Sequence, residues 1–284
     1  MLWHRGQISE DDGMTLLTSD RGLTLGDGLF ETLPAFEGKA FLADAHLDRL
    51  MASAARFRLP LDRAVLARAV AELAGADKSP CVIRLSVSRG AGQRGLALPE
   101  PQTPNLWATR SPWTQTMAFG TARLATSSIR RHATSPSSAH KTLSYLDSIM
   151  AFDEAKQKAA DDALMLDGSG HVASTAMANL FAVSGSTVMT PPATGALLPG
   201  IMRALILDHA GALGVEAIEK PLHPRDLYGA DLVFATNSVR LVTHVMALDG
   251  VPLNSSADGV MTALQTLIKR LIQDETGFRL DVPS

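Results

Sequence analysis

The sequence predicts an α+β protein of two domains, each of which mixes sheet and helix. The chain has 284 residues, and since a domain usually takes roughly 100–200 residues, this length suits one large or two modest domains. Runs with strand character alternate with runs of helical periodicity. The pattern breaks at residues 111–115 and then restarts. We therefore predict a small N-terminal domain over residues 1–115 and a larger domain over residues 116–284.

The first domain is predicted to begin with short strands and to continue with two helices. Gly-centred turn signals interrupt residues 1–43. From Asp44 apolar residues recur at spacings of three and four, which predicts a helix with Asp44 as its N-cap. A second, Ala-rich helix is predicted over about 62–74. The strand candidates after it are 81–88 and 105–109.

The second domain repeats this mixture of strands and helices. A β-like run around 119–127 is followed by a polar loop and by a helix predicted over 142–158. The later segments are strands at 163–167, 179–183, 187–189 and 232–236, a helix at 200–213 and a C-terminal helix at 261–273.

The composition excludes several classes of protein. Lys and Arg number 26 against 29 Asp and Glu, so we expect no binding to nucleic acid or to an anionic membrane. The single cysteine, Cys81, cannot form an internal disulfide, which favours a reducing, cytoplasmic location. No apolar stretch approaches about 18 residues and no signal peptide is apparent, so we expect no membrane-spanning helix. We also expect no metal ion.

Two backbone segments have the character of anion sites. At Pro199-Gly200 a tight turn leads into a helix, and the amides of Ile201 and Met202 lack intrahelical partners. Such a helix start favours phosphate, although an ordinary helix N-terminus solvated by water has the same pattern. The small polar residues of 236–238 follow a strong strand and could also donate to an anion, or form a plain turn.

Two cationic side chains are candidates for chemistry. Lys141 lies between a Ser-rich loop and an amphipathic helix, and a lysine held by packing can act as a nucleophile toward a carbonyl group. Most lysines are instead solvated charges. Arg49, on the polar side of the first long helix, could pair with phosphate or form a surface salt bridge.

Seven short segments, which include Arg49, Lys141 and parts of both candidate anion sites, follow one another along the chain. They are 21–32, 46–50, 140–146, 179–181, 190–192, 198–201 and 236–238. This order resembles the class IV, fold type IV, pyridoxal-phosphate enzymes, which include branched-chain aminotransferases, D-amino-acid aminotransferases and 4-amino-4-deoxychorismate lyases. The resemblance implies a larger domain with a mixed, β-barrel-like sheet, pyridoxal 5'-phosphate as cofactor, and a homodimer.

The resemblance implies roles for three side chains. Lys141 would form the Schiff base with the cofactor and then shuttle the proton of the substrate. Arg49 matches the phosphate-binding arginine of a His-x-x-Arg-Leu motif. Tyr145 matches the tyrosine that faces the phenolic oxygen of the cofactor.

The resemblance also implies which residues hold the phosphate. Ile201 and Met202 match the positions whose backbone amides bind it, although the family usually has Thr at the place of Met202. Asn237 and Ser238 match small polar residues at the phosphate end.

Ser174 is a departure from the family pattern. The family has a glutamate five residues before the Asn of Asn-x-Phe, where it keeps the pyridine nitrogen protonated, and here that position is Ser174. A neutral hydroxyl cannot stabilise a pyridinium by charge, so the cofactor becomes a weaker electron sink. We expect this to disfavour transamination relative to elimination.

Within the family, segments 26–32, 88–95 and 236–238 favour the lyase, which converts 4-amino-4-deoxychorismate to 4-aminobenzoate and pyruvate for folate biosynthesis. The alternatives are an aminotransferase of branched-chain or D-amino acids, and a degenerate homologue with altered or no turnover. The candidates for binding the substrate carboxylate are Arg89, Arg94 and Arg240.

Overall fold

The structure is a computed structural model, and it describes residues 1–10 and 13–281. Contacts between Cα atoms divide the chain into two units. Unit 1 contains Met1–Thr114, His140–Ser144 and Ile272–Arg279, and unit 2 contains the remaining described residues. The units therefore interleave along the chain, while the linear domain boundary at residue 115 stays a prediction.

Unit 1 is built on a six-stranded antiparallel sheet with strand order β2-β1-β6-β5-β3-β4. Helices α2 and α3 pack on this sheet over a core of buried Leu, Ile, Val and Ala side chains. The elements are β1 Leu2–His4, β2 Gln7–Ser9, α1 Arg21–Leu25, β3 Gly28–Phe36, β4 Lys39–Ala40, α2 Ala43–Arg56, α3 Arg63–Gly75, β5 Cys81–Ser88 and β6 Asn105–Pro112.

The helix starts of unit 1 differ in how they are capped. Helix α3 begins after Asp62, whose carboxylate accepts from the amide of Ala64 at 2.8 Å. The prediction of Asp44 as the N-cap of α2 was wrong. The N-cap is Leu42, in the left-handed region at φ 54°, and its amide donates to the Glu275 carboxylate at 2.9 Å, so Asp44 lies in the first turn.

Unit 2 is built on a mixed nine-stranded sheet with the order β12-β11-β10-β13-β14-β7-β8-β9, and β15 pairs with β14. The pairs β11·β12, β14·β7 and β7·β8 are parallel, and α5 packs on β7 and β8. The elements are β7 Thr121–Arg131, α4 Pro136–Ala139, α5 Leu146–Gln157, β8 Asp162–Asp167, β9 Val172–Thr175, β10 Asn179–Ser184, β11 Thr187–Thr190, α6 Ile201–His209, β12 Glu216–Glu219, α7 Pro224–Tyr228, β13 Leu232–Asn237, β14 Leu241–Leu248, β15 Val251–Pro252 and α8 Asp258–Thr276.

The helix predicted over 142–158 was wrong at its start. The backbone of Lys141 to Leu143 pairs with the beginning of β3, and α5 starts only at Leu146. The helix predicted over 200–213 ends as an α-helix at His209 and continues as a short 3₁₀ helix. None of the helices described for this chain combines the length with the apolar character that a membrane span requires.

Candidate functional site

Lys141 is fixed in unit 1 by its main chain. Its carbonyl accepts from the amide of Phe30 at 2.9 Å, and the amide of Leu143 donates to the carbonyl of Gly28 at 2.9 Å. Gly28 is required at this close approach, because a Cβ there would lie 2.3 Å from the Val87 carbonyl oxygen. The half-buried Lys141 places its Nζ 4.3 Å from the centroid of the Phe30 ring. Two of the seven segments thus meet at the first residues of β3.

A buried ion cluster is centred on Glu31, the residue that follows Phe30 in β3. Glu31 is 1% exposed, and it accepts from Arg49 twice, at 2.8 Å from Nε and 2.6 Å from Nη2. Its Oε2 also lies 2.8 Å from Nδ1 of His46. Arg49 and His46 are one turn apart on α2, so both reach the same carboxylate. The structure therefore orients the predicted phosphate-binding arginine through a planar two-point contact.

The charges of this cluster are set by burial and pairing. Burial alone would raise the pKa of Glu31, but the Arg49 charge and the hydrogen bonds from His46 and Arg49 lower this pKa to about 2. Burial lowers the pKa of His46, and Glu31 offsets this only in part. We conclude that near neutral pH Glu31 is ionised and a neutral His46 donates its Nδ1 proton to it.

In unit 2 three of the predicted segments meet at one end of the sheet. Asn179 begins β10 and lies opposite Thr236 of β13. The amide nitrogen of Asn179 donates to the Leu198 carbonyl at 2.9 Å. A Cβ on Gly200 would lie 1.9 Å from the Asn179 side-chain oxygen, so any larger residue would force the asparagine or the helix start to shift. This contact sets the start of α6, where Ile201 is the first helical residue.

The residues at this end fit a bound phosphate. The first amides of α6, those of Ile201 and Met202, have no carbonyl one turn earlier in the helix to donate to. Within the described residues, the buried Thr236 hydroxyl has no hydrogen-bond partner. Such an unsatisfied donor is costly unless a ligand or water completes it. Met202 buries its side chain, so it can offer only its amide.

The other residues predicted at the phosphate end lie in the turn after β13. The side-chain oxygen of Asn237 accepts from the amides of Val239 at 3.0 Å and Arg240 at 2.7 Å. This is an Asx-type turn, so Asn237 shapes the loop that presents Ser238. Arg240 is partly exposed in the same turn.

Tyr145 occupies the N-cap position of α5, and its carbonyl accepts from the amide of Ile149 at 3.0 Å. In the same unit Arg131, at the end of β7, donates to the Ser148 hydroxyl at 2.9 Å. Burial lowers the pKa of Arg131, while the nearby Tyr145 and Asp147 act against this. Tyr145 thus lies near the charged side chains of Arg131 and Asp147 in unit 2.

Ser174 lies on β9 and is almost fully buried. Its hydroxyl donates to the Thr175 carbonyl at 2.7 Å. The buried carboxylate on β8, Asp162, accepts from the amides of Ala163 at 2.8 Å and Ala176 at 3.3 Å. Burial raises the pKa of Asp162, and these hydrogen bonds oppose the rise. Strand β9 therefore presents a neutral hydroxyl at the position for which the family resemblance implies a glutamate.

Two of the three arginines proposed for the substrate carboxylate have different environments. Arg89 is 3% exposed, and its guanidinium donates to Asp27, to Gln102 and to backbone carbonyls after α2. Because those acceptors occupy its guanidinium, the structure gives Arg89 a structural role. Arg94 instead lies exposed in the loop between β5 and β6.

Sequence reasoning did not assign roles to Glu31, Asn179 or Arg21. All three stand inside the seven segments, and Glu31 and Asn179 are buried with side chains bonded to another of these segments. The signal available in the sequence was a charged or amide residue within an otherwise apolar strand segment, because such a residue needs a polar partner when the strand is buried.

Comparison with known proteins shows the family to which the chain belongs. The model of the family "Amino-transferase class IV" matches residues 28–248. A Methanocaldococcus jannaschii protein, provisionally described as a branched-chain-amino-acid aminotransferase, is 31% identical over 92% of each chain. The branched-chain aminotransferase structure of Thermoproteus uzoniensis has a TM-score of 0.87 at 26% identity, over 97% of this chain and 96% of its own. The 4-amino-4-deoxychorismate lyase of Pseudomonas aeruginosa has a TM-score of 0.83 at 29% identity, over 98% of this chain and 100% of its own.

The fold and these matches define a pyridoxal-phosphate enzyme of fold type IV. The chain belongs to the class IV aminotransferase family. The predicted α+β fold class and the predicted cofactor, pyridoxal 5'-phosphate, are thereby confirmed. The roles of the individual site residues stay predictions.

Proposed function

We propose that the chain is an aminotransferase that moves the amino group of an amino acid to a 2-oxo acid. The observation that carries the proposal is the 31% identity, over 92% of both chains, to a protein described as a branched-chain-amino-acid aminotransferase. Lys141, held by its backbone beside Phe30, supplies the nucleophile that the chemistry needs. The substrate class of the proposal is branched-chain amino acids, with D-amino acids as the other class to be assayed.

The proposal assigns a role in binding the cofactor or in moving a proton to each of these residues. When bound, pyridoxal phosphate supplies a conjugated ring that takes up electrons from the α-carbon of the substrate. The Nζ of Lys141 would hold the cofactor and, as a free amine, would take the proton from the α-carbon of the substrate and deliver it to the cofactor carbon that receives the amino group. Arg49 would bind the phosphate, as would the amides of Ile201 and Met202. Tyr145 would donate to the phenolic oxygen.

The substrate carboxylate requires a cation. Arg94 and Arg240 remain the proposed partners, since both lie in loops and neither is fully buried. Ser238 and Asn237 would complete the phosphate end in this proposal, and Ser174 would face the pyridine nitrogen without supplying charge.

The test of the cofactor link is reductive trapping. The purified protein is incubated with pyridoxal phosphate, reduced with borohydride and digested, and we expect the modified peptide to contain Lys141. Lys141→Ala should remove the label, whereas Lys39→Ala, at an exposed lysine of β4 in the same unit, should retain it. Labelling elsewhere in the wild type would contradict both enzyme functions.

The test of the reaction is single-turnover transamination. We expect L-leucine or L-valine to convert the bound pyridoxal form to the pyridoxamine form, followed by absorbance, and a 2-oxo acid to reverse it. D-alanine tests the D-amino-acid alternative. A labelled enzyme that converts with none of these amino acids would contradict the aminotransferase proposal.

A second candidate function is 4-amino-4-deoxychorismate lyase. Two observations favour it: the 29% identity to the Pseudomonas aeruginosa lyase structure over 98% of this chain, and the serine at position 174. Release of 4-aminobenzoate and pyruvate from aminodeoxychorismate, without amino transfer, would establish it in place of the first. A degenerate homologue would show neither activity.

The proposal includes a homodimer in the cytoplasm. Helix α5 exposes Leu146, Ile149 and Met150 at spacings of three and four, so they form one apolar stripe. Exposed apolar stripes of this kind mark protein interfaces, and we propose a second copy of the chain as the partner.

A further inference from the structure

Arg21, on the short helix α1, is a buried arginine that no proposed step uses. Its Nε donates to the Asp27 carboxylate at 2.8 Å, and the same carboxylate oxygen accepts from Arg89 at 2.9 Å. Burial would raise the pKa of Asp27, but the hydrogen bonds from Arg89 and Arg21 hold it below its usual value. The Asp27 carboxylate is therefore ionised near neutral pH and fixes the plane of the Arg21 guanidinium.

The remaining donors of Arg21 hold the loop that carries Arg94. Nη1 donates to the carbonyls of Gly95 at 3.1 Å and Ala97 at 3.2 Å, and Nη2 donates to the carbonyl of Leu96 at 3.4 Å. A single guanidinium thus contacts three successive peptide units immediately after Arg94. We call residues 93–97 the clamped loop.

The beginning of this connection is attached by backbone bonds to the same segment. The amide of Arg21 donates to the Gly90 carbonyl at 2.9 Å, and the amide of Gly92 donates to the Ser19 carbonyl at 3.1 Å. A Cβ on Gly92 would lie 2.9 Å from Cδ of Arg21, so the loop packs directly on the arginine stem.

Burial does not hold the clamped loop in place. Its residues are exposed, and Leu96 is 82% exposed. A segment with little buried apolar surface opens easily unless polar contacts restrain it. The contacts of Arg21 with its three carbonyls are restraints of this kind.

We propose that Arg21 is a positioning residue for the substrate: by holding the clamped loop it sets where Arg94 presents its charge to the substrate carboxylate. The inference rests on the proposed function, in which Arg94 is one of the two arginines that bind this carboxylate. Arg21 itself touches neither substrate nor cofactor in this proposal. Its effect should therefore be on KM more than on kcat.

Arg21→Lys in the holoenzyme tests the proposal, because lysine retains the charge toward Asp27 but lacks the planar fork. We expect KM for the substrate that is turned over to rise about tenfold while kcat changes by less than about twofold, because a displaced Arg94 would bind the carboxylate less tightly in the ground state and the transition state alike. Gly92→Ala perturbs the same contact from the loop side and should act in the same direction. Arg63→Lys is the matched control, because Arg63 makes its three hydrogen bonds to exposed carboxylates of α2.

A second measurement reports on the opening of the clamped loop and does not require catalytic activity. Trypsin cleaves after Arg94, and we expect cleavage there to be about tenfold faster in Arg21→Lys and Gly92→Ala than in the wild type or Arg63→Lys, because the loop opens more often. New fragments beginning at Gly95 are identified by mass. The cleavage comparison remains valid whichever reaction the enzyme catalyses.

Arg94→Ala separates the two proposals. If Arg94→Ala raises KM but folded Arg21→Lys and Gly92→Ala change neither KM nor cleavage, the role of Arg21 is refuted and the function stands. If Arg94→Ala leaves KM unchanged, the assignment of Arg94 fails, and substrate presentation by Arg21 fails with it. In the supporting result, Arg21→Lys adds nothing to the KM of Arg94→Ala, since both act through one contact.

Discussion

The buried pairing with Arg49 constrains the charge of Glu31. It holds Arg49 in a two-point contact inside an apolar sheet, and its pKa lies at about 2 against an ordinary value of 4.5. When folding lowers the pKa of a carboxyl group, its ionised form stabilises the folded protein at every pH above the pKa that the group has in the unfolded chain. This stability is therefore lost as the pH falls from about 4.5 to about 2.

Glu31→Gln should remove both the charge pairing and this acid dependence. We expect the free energy of unfolding at pH 7 to fall by about 3 kcal/mol, because a buried charge loses its partner. Urea unfolding at pH 7 and at a series of lower pH values measures it. Glu37→Gln, at an exposed position in the β3–β4 turn, is the control and should match the wild type. A Glu31→Gln protein as stable as the wild type at pH 7 would contradict the assignment.

Ser174 carries the prediction about the electronics of the cofactor. Its hydroxyl is neutral, so Ser174→Glu should restore charge at the pyridine nitrogen and raise the single-turnover transamination rate about tenfold, the equivalent of one pKa unit. Ser186→Glu, on the exposed β10–β11 turn, tests for unspecific effects of added charge. An unchanged or lower rate, with fold and cofactor occupancy intact, would refute the idea that Ser174 weakens the electron sink.

At the scale of elements, the start of α6 depends on one close contact. Gly200→Ala would place a methyl group 1.9 Å from the buried Asn179 oxygen, so the helix start or the asparagine must shift. We expect the loss of one hydrogen bond to phosphate, about 1.5–3 kcal/mol, and hence a Kd for pyridoxal phosphate at least about tenfold higher. Cofactor titration measures this change.

Gly211→Ala provides the control for that titration. A Cβ at Gly211, in the 3₁₀ turn after α6, meets nothing within 4 Å, so its cofactor affinity should equal that of the wild type. Equal affinities of Gly200→Ala and wild type would show that the α6 start does not bind the phosphate.

The elements that the sequence predicted well are those with local signals. Strand β5 has the predicted bounds, and Asp62 caps α3 as an N-cap residue does. The helix predicted from residue 142 failed at its start because Lys141 to Leu143 pair with β3, more than a hundred residues earlier in the chain. Periodicity contains no information about such a long-range pairing. Helix α1 was missed because it has only five residues and contains Gly22.

At the scale of the whole molecule, the order of the segments was informative where single residues were not. Lys141 alone is an ordinary lysine, and the structure shows why its segment accompanies 28–32: two backbone hydrogen bonds and an isolated β-bridge join residues 141–143 to residues 28–30 of β3. The same holds for Asn179, Gly200 and Thr236, which lie far apart in sequence and meet at one end of a sheet. The role of Arg89 could not be predicted, because its four acceptors come from three separate segments.

The exposed apolar stripe on α5 predicts the oligomeric state of the whole molecule, which we propose to be a dimer. Leu146, Ile149 and Met150 are 66%, 57% and 45% exposed on consecutive turns of α5, and burying them against a second copy would remove this apolar area from water. We expect sedimentation to give twice the chain mass of 30.1 kDa. Ile149→Lys should shift the protein toward monomer with unchanged circular dichroism, because a lysine there cannot be buried without a partner. Val65→Lys, at a half-exposed position on α3, is the control and should leave the mass unchanged. The proposed interface would be contradicted if the wild type were a monomer, or if Ile149→Lys formed a dimer as stable as the wild-type dimer.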